Sequence, residues 1–251
     1  MIRLLILLLT FALPAQSEEV VAGLSQNRVA ITANFDGSEI LIFGAVKRDA
    51  PIPGTEPLQV IVTVAGPSEP VTVRRKDWRL GIWVNVESVK IPTAPTFYSI
   101  STTAPFSEVI SETEDQRYNV SIPQAVHSFA TPENRENATL FAEALIRIRT
   151  ASDLYQLKPE TVQLDEDTLF RTSVALPSNL TEGLYTARIF LTRAGQVIDV
   201  FETKIDVSKV GLERWLFKLA HEKPLIYGLM SLFIAIAAGW GASAVFRYFK
   251  P

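Results

Sequence analysis

The chain of 251 residues has no cysteine, two histidines and two methionines. Without cysteine it forms no disulfide, so packed cores must supply the stability of the fold. Soft metal ligands are scarce as well, which argues against a transition-metal carrier, and we predict no cofactor and no metal site. The formal net charge of −3 is small, and no basic run with interleaved aromatic residues indicates nucleic-acid binding.

Residue patterns that indicate catalysis are also scarce. The two histidines, His127 and His221, lie far apart, and neither adjoins a nucleophile-elbow pattern. Acidic clusters at 112–115 and 165–167 lack the spacing of a calcium loop and are typical of solvated turns. Gly239-Trp240-Gly241 does not follow a strand, so it is not a dinucleotide motif. We therefore predict no catalytic residue, with an enzyme as the least favoured alternative.

The first 17 residues have the three-part pattern of a secretion signal. Arg3 precedes a short apolar run, and Pro14 with the small residues Ala15 and Ser17 follows it. We predict cleavage after Ser17, which places the following residues in the periplasm. The alternative is an uncleaved anchor, but the run is well short of the roughly 20 residues that a spanning helix needs.

A second apolar block, residues 225–246, carries no charged residue. Its length matches a bilayer core at about 1.5 Å per residue and predicts a transmembrane helix at 224–246, with a cytoplasmic tail at 247–251. Lysine and arginine are more numerous before the helix than after it, which by itself favours the opposite orientation. The export signal takes precedence, because long domains translocate largely regardless of their charge. We predict a single-pass protein of a bacterial inner membrane.

Between the two blocks, short runs rich in valine, isoleucine, threonine and aromatic residues alternate with glycine and proline turns. This pattern predicts a mainly-β, immunoglobulin-like fold with two β-sandwich domains, at 18–120 and 121–208. Apolar residues recur at helical spacing only at about 133–150, which predicts one inserted helix. Tyr185 enters a late strand after a glycine turn, which indicates either a tyrosine corner or ordinary packing.

The segment that leads to the span, residues 209–223, is amphipathic. On a helical wheel Trp215, Leu216 and Leu219 share one side, and charged residues take the remainder. We predict that this helix lies on the membrane surface, with Trp215 at headgroup level and Lys218 near the lipid phosphates. An ordinary stalk helix is the alternative.

Small residues recur along one side of the predicted span, at Ala235, Ala238, Gly239, Ala242 and Ser243. Such a face lets two helix backbones approach closely, so it is suited to packing against another transmembrane helix. Small residues are also frequent in spans by chance, which is the alternative interpretation.

One stretch of the body is dense in charge and aromatic rings, and it contains Arg74, Arg75, Lys76, Trp78 and Arg79. A guanidinium stacked on an indole, with the other basic residues exposed, makes a candidate surface for an anionic partner. In the alternative interpretation this stretch is a charged hairpin whose tryptophans belong to the core.

Residues 35–45, 73–85 and 95–102, together with the C-terminal span, resemble an uncharacterised family of alphaproteobacterial transmembrane proteins. The resemblance covers nearly the whole mature chain and implies membrane anchorage, but it carries over no activity or catalytic residue. Relatives tend to be encoded near permeases of the sulfite-exporter type, which implies a multi-pass inner-membrane protein as a partner.

These patterns favour a membrane-anchored accessory or interaction protein that associates with an inner-membrane transport complex. The alternative is a tethered periplasmic module that captures a ligand or a polypeptide on its body, as a chaperone would. The lipid bilayer is a predicted partner in both interpretations, nucleic acid is a partner in neither, and both are compatible with a homo-oligomer.

Overall fold

The computed structural model describes residues 18–32, 35–48, 56–127, 135–210 and 212–248. The predicted signal at 1–17 and most of the predicted tail therefore lie outside the described residues. The strands are β1 Glu18–Leu24, β2 Arg28–Ile31, β3 Ser38–Arg48, β4 Leu58–Ala65, β5 Ser68–Arg79, β6 Ile82–Pro95, β7 Tyr98–Thr102, β8 Tyr155–Lys158, β9 Gln163–Asp165, β10 Leu169–Leu176, β11 Gly183–Arg193 and β12 Gln196–Lys209. The helices are α1 Phe106–Val109, α2 Glu112–Tyr118, α3 Ile122–His127, α4 Arg135–Ala151, α5 Leu212–Glu222 and α6 Pro224–Tyr248.

The described residues form two compact units: the first contains residues 18–29 and 36–207, and the second contains residues 30–35 and 208–248. In the first unit, a four-stranded sheet has the order β1-β3-β10-β9, and a six-stranded sheet has the order β2-β12-β11-β4-β7-β8. Strands β5 and β6 form a separate two-stranded sheet. The prediction of a mainly-β fold with one apolar C-terminal helix is confirmed.

Strands from the two halves of the chain share each sheet. Strand β3 pairs with β10, and β4 pairs with β11, in both cases antiparallel. The sheets therefore do not divide near residue 120, where a boundary between two sandwiches was predicted. Hydrophobic alternation identifies strands but not their pairing partners, so it does not distinguish one interleaved body from two consecutive ones.

Strand β4, one of the two central strands of the larger sheet, is buried on both faces. Ile61 packs in a cluster with Tyr98, Phe190 and residues of the helices α1–α4. Because successive side chains alternate, Val60 and Val62 face the opposite side, where β10 of the smaller sheet contacts β4. The body therefore has three layers: the smaller sheet, the larger sheet and the helices.

The helical layer contains more helix than the sequence predicted. Helix α4 matches the predicted helix at 133–150, although its predicted first residues, 133 and 134, lie outside the described residues. Helices α1, α2 and α3 were not predicted, because segments this short give no measurable helical period.

Polar side chains join the helical layer to the sheet. Arg188 on β11 donates to the carbonyl oxygens of Tyr118 and Asn119, at 2.9 and 3.1 Å, at the end of α2. The carboxylate of Asp115 accepts from the backbone N–H groups of Val120 and Ser121, just beyond this helix, at 3.1 and 2.6 Å. Arg188 therefore satisfies carbonyl groups that the helix end leaves unpaired, and Asp115 binds the segment that follows the helix.

Tyr185 makes the hydrogen bond of a tyrosine corner. Its ring is fully buried, and its hydroxyl donates to the carbonyl oxygen of Thr181, four residues upstream, at 2.8 Å. Burial raises the pKa of the Tyr185 phenol to about 12. Of the two interpretations of this residue, the corner is the one that the geometry matches.

The second unit consists mainly of α5 and α6, which meet at Lys223. The N–H of Lys223 donates to the carbonyl of Leu219, and its own carbonyl accepts from the N–H groups of Ile226 and Tyr227. Pro224 lacks an N–H, which ends the first helix and suits the first position of the next. Among the described residues, α6 is the one helix long and apolar enough to cross a membrane, over Pro224–Ser243.

Candidate interaction sites

The strands β5 and β6 form an arm whose root is anchored in the core. Near this root Val73 pairs with Val89 and Ile91 pairs with Val71, and both Val73 and Ile91 are buried among residues of the helical layer. From Arg74 to Arg79 every residue of β5 is exposed, so neither face of this part is covered by the described body. Residues 74–87 are called the distal arm below.

All five residues predicted as a partner surface lie on the distal arm: Arg74, Arg75, Lys76, Trp78 and Arg79. Side chains alternate along a strand, so the even-numbered residues face one side and the odd-numbered residues face the other. The structure thus brings the five side chains into one exposed element but divides them between its two faces.

The two tryptophans of the distal arm contact each other. Trp78 and Trp83 are directly paired across the strands, with ring centroids 5.3 Å apart and ring planes at 71°, an edge-to-face arrangement. Trp78 is 56% exposed and Trp83 is 63% exposed. This exposure contradicts the alternative in which the tryptophans belong to the core. The ring that Trp78 contacts is a second indole, where a guanidinium was expected.

Leu80 and Gly81 form the turn at the end of the arm. Their φ angles of 51° and 87° are both in the left-handed region, as a two-residue type I′ turn requires. A left-handed leucine costs roughly 1 kcal/mol, because its Cβ crowds the following carbonyl oxygen. The Leu80 side chain is also fully exposed. The chain thus retains an apolar residue where both backbone strain and water disfavour it.

The distal arm carries an excess of positive charge, with four basic and two acidic residues. Arg75 pairs with Glu87 across the strands at 3.2 Å, and Arg79 pairs with Asp77 at 3.3 Å. Such exposed pairs add little to stability. Within the described residues no ion pair engages Arg74 or Lys76, so these two side chains are available for an anionic partner.

Helix α5 carries the residues predicted to lie at the membrane surface. Trp215 is exposed, Leu216 and Leu219 are half-buried, and Lys218 follows on the same helix. Exposed apolar area continues at Phe217, whose ring stacks on that of His221 with centroids 4.0 Å apart. The interfacial position of this helix stays a prediction.

The small residues of the span lie together on one side of α6, as residues three and four apart do in any helix. They are Ala235, Ala238, Gly239, Ala242 and Ser243. A Cβ added at Gly239 would have no atom within 4 Å of it. The described chain therefore leaves this side of the helix open, and its packing against another helix stays a prediction.

A further surface, which was not predicted from the sequence, lies on the outer face of the smaller sheet. It is a shallow groove of about 560 Å³ whose apolar lining includes Val21, Phe43 and Leu169, each of them about half exposed. Gly44 also lines the groove, and a Cβ at this position would clash with the ring of Phe170. The sequence signal was the run from Ile40 to Phe43, because consecutive apolar residues on a strand place apolar side chains on both faces.

The acidic clusters that were considered as ligand sites have structural roles. Glu114 accepts from the N–H of Val197 at 3.3 Å, and Asp115 accepts from the N–H groups of Val120 and Ser121. Residues 166–168 form the turn between β9 and β10. Across the described ranges, no group of three or more histidine, cysteine, aspartate or glutamate side chains is placed to hold a metal ion.

The sequence profile of a family described as "Putative transmembrane protein (Alph_Pro_TM)" matches residues 19–248. The chain therefore belongs to this family, and the resemblance found in the sequence is confirmed. The match includes the arm, α5 and the candidate span in α6 near the C-terminus. No curated protein matches the chain.

Proposed function

We propose that this protein is a membrane-anchored, non-enzymatic accessory or interaction protein. Its body lies in the periplasm, and its span packs against a multi-pass protein of the inner membrane. The observation that supports this proposal best is the open side of α6, where no residue of the apolar window is buried and small residues leave room for a neighbouring backbone. A permease of the sulfite-exporter type is the partner that the resemblance implies.

Gly239→Leu is expected to reduce recovery of the partner complex at least about tenfold, because the leucine fills the space that a neighbouring helix would occupy. The change causes no clash within the chain itself, since no atom lies within 4 Å of the new Cβ. The complex is measured by crosslinking in cells, purification in mild detergent, and mass spectrometry of the proteins that accompany the chain.

Ala237→Leu is the matched control, because residue 237 lies about 200° around the helix from residue 239. It adds a similar side chain to the opposite side of the same turn and is expected to leave the complex intact. Equal recovery of a multi-pass partner with the two variants would contradict docking through the small-residue side.

A second candidate function is the tethered periplasmic module, and the groove on the smaller sheet is the observation that favours it. Its apolar lining at Val21, Phe43 and Leu169 would suit an extended apolar segment or a small apolar ligand. In this case the accompanying protein would be soluble and periplasmic, and Gly239→Leu would leave its recovery unchanged.

The proposed orientation also gives a direct prediction. The mature protein is expected to begin at Glu18, with the body outside the inner membrane and the C-terminus inside. The chain has no cysteine, so Ser88→Cys on the exposed face of the arm and Lys250→Cys in the tail each introduce a unique label site. In intact spheroplasts a membrane-impermeant maleimide should label residue 88 and not residue 250, while N-terminal sequencing reads from Glu18. The reverse labelling pattern would contradict the orientation.

A further inference from the structure

We propose that the distal arm binds the membrane itself: its apolar end inserts into an anionic bilayer surface, and the basic side chains behind it contact the lipid phosphates. This inference uses the membrane anchorage of the proposed function but not its protein partner. It assigns to the arm a ligand class, the anionic lipid bilayer, that is separate from any protein bound by the span.

Projection into water is unfavourable for the distal arm. An isolated two-stranded hairpin is marginally stable, and the distal arm has no second layer on either face. It nevertheless presents Trp78, Leu80, Ile82 and Trp83 at its end, each more than half exposed. A cluster of large apolar side chains at the end of a projecting element is typical of a surface that becomes buried in use.

The side chains follow a definite order along the arm. Leu80 is at the extreme end beside the paired residues Arg79 and Ile82, the tryptophans follow with Asp77 beside them, and Arg74 and Lys76 lie further back, about 13–20 Å from Leu80 at the rise of a strand. The same order is found across a membrane interface, where tryptophan sits at headgroup level and long basic side chains extend to the phosphates. A small anionic partner would not require the apolar end, and an apolar protein pocket would not require the cations.

The arm leaves the body near the end of β12, the strand that leads to the span. Strand β4 ends at Ala65, directly before the arm, and lies beside β11, whose first residue Gly183 pairs with Val207 near the end of β12. Strands are about 4.8 Å apart, so the arm begins roughly 10 Å from the end of β12. From there, residues 208–223 lead to the span.

The length of this connection limits the distance to the bilayer. Helix α5 has 11 residues, or about 16 Å, and the remaining residues of 208–223 add about 17 Å when extended. Covalent connection alone therefore holds the end of β12 within about 35 Å of the start of the span. Strand β5 has 12 residues and is about 40 Å long, so its length is comparable to the greatest separation that this connection permits.

The test uses the full chain, with Trp215→Phe and Trp240→Phe so that the two arm tryptophans provide all indole emission. The protein is reconstituted into vesicles of phosphatidylethanolamine and phosphatidylglycerol, or of phosphatidylcholine alone, each with brominated acyl chains. Insertion is expected to quench the emission strongly in the anionic vesicles and much less in the neutral ones. Unbrominated vesicles of the same composition give the reference intensity.

Two variants test the apolar end of the arm and its basic residues separately. Leu80→Asn removes the apolar end but supplies the residue that a type I′ turn prefers, so the hairpin is retained. It should lower the ratio of inserted to withdrawn arms at least about tenfold. Arg74→Gln with Lys76→Gln should lower that ratio roughly 30-fold in anionic vesicles and leave it unchanged in neutral ones. Exciton coupling of the two indoles in circular dichroism verifies that each variant keeps the arm folded.

Absence of quenching in both kinds of vesicle, with the exciton signal intact, would overturn the inference. Crosslinks from Ser88→Cys to a second copy or to another protein would then assign the arm to a protein partner. Equal quenching in both lipids would overturn the role of the anionic headgroup. The vesicles contain no other protein, so these results are independent of the Gly239→Leu experiment, and either proposal can fail without the other.

Discussion

Replacing Glu18 with glutamine is expected to lower the free energy of unfolding by about 3–5 kcal/mol. The Glu18 side chain is only 5% exposed, and it accepts from Nε of Arg48 at 2.6 Å and from Nη2 of Arg193 at 3.1 Å. Removing the carboxylate charge leaves two largely buried guanidinium groups without this counter-ion. The loss is large because these charges repel each other in an environment where water screens them poorly.

The ion cluster also has an architectural role. Glu18 begins β1, Arg48 ends β3, and Arg193 ends β11, so the cluster connects the edge of the smaller sheet to the larger sheet. Arg48 additionally donates to the hydroxyl of Thr168 at 3.2 Å and to the carbonyl oxygen of Asp167. If cleavage follows Ser17 as predicted, Glu18 is the first residue of the mature protein, and its ion pairs with the two arginines fix the start of the chain.

Glu19→Gln is the matched control for this experiment. It makes the same chemical change one residue further along, where Glu19 pairs with Lys47 at 3.5 Å and both side chains are well exposed. Its cost is expected to stay below about 1 kcal/mol. Guanidinium unfolding of the purified full-length protein, followed by far-ultraviolet circular dichroism, measures both variants. Equal stability of the two would show that the buried cluster contributes nothing.

Most strands could be predicted from the sequence because their local pattern and their tertiary setting agree. Strands β10, β11 and β12 alternate clearly, and the hairpin between β11 and β12 has the turn residues Ala194 and Gly195, which both adopt positive φ. The local sequence pattern does not indicate strands β1 and β8, for different reasons. Strand β1 begins with two acidic residues, one of which is buried only because of its arginine partners. Strand β8 has four residues, and its parallel pairing with β7 stabilises it in a way that no local pattern reveals.

The candidate sites, like the strands, could be predicted from the sequence only in part. Composition identified the basic and aromatic residues of the arm, because a dense mixture of charge and indole is unusual anywhere in a sequence. Composition did not indicate that Trp78 and Trp83 are exposed, since a tryptophan on an alternating strand is equally compatible with a core. Leu80-Gly81 is not a common turn signal, so the end of the arm could be located only from the backbone angles.

Raising the pH above 10 is expected to destabilise the body steeply through three buried tyrosines. The hydroxyls of Tyr98, Tyr155 and Tyr185 donate to backbone carbonyl oxygens, each at 2.8 Å. Burial raises the pKa of Tyr155 and of Tyr185 to about 12, and it also raises the pKa of Tyr98. The folded state therefore retains these protons at a pH where the unfolded chain, with a tyrosine pKa of about 10, has lost them.

The direction of the effect follows from this difference in proton binding. The contribution is complete below pH 10 and is lost as the pH rises from 10 through about 12, by at most about 1.4 kcal/mol per pH unit for each tyrosine. Guanidinium unfolding between pH 8 and 11.5, with phenolate absorbance at 295 nm, measures both the loss and the ionisation. Ionisation of all six tyrosines near pH 10 without loss of structure would contradict the prediction.

Tyr155→Phe distinguishes the stability contributed by the hydrogen bond of Tyr155 from the pH dependence caused by ionisation of its phenol. At pH 8 the variant should be less stable by about 1 kcal/mol, because it loses the bond to the carbonyl of Pro95. Above pH 10 it should lose stability less steeply than the parent chain, since one fewer phenol ionises on unfolding. Pro95 ends β6 at the root of the arm, and Arg149 also donates to its carbonyl oxygen. If the alkaline slopes of the variant and the parent coincide, Tyr155 does not retain its proton in the folded state and the steep loss must come from other groups.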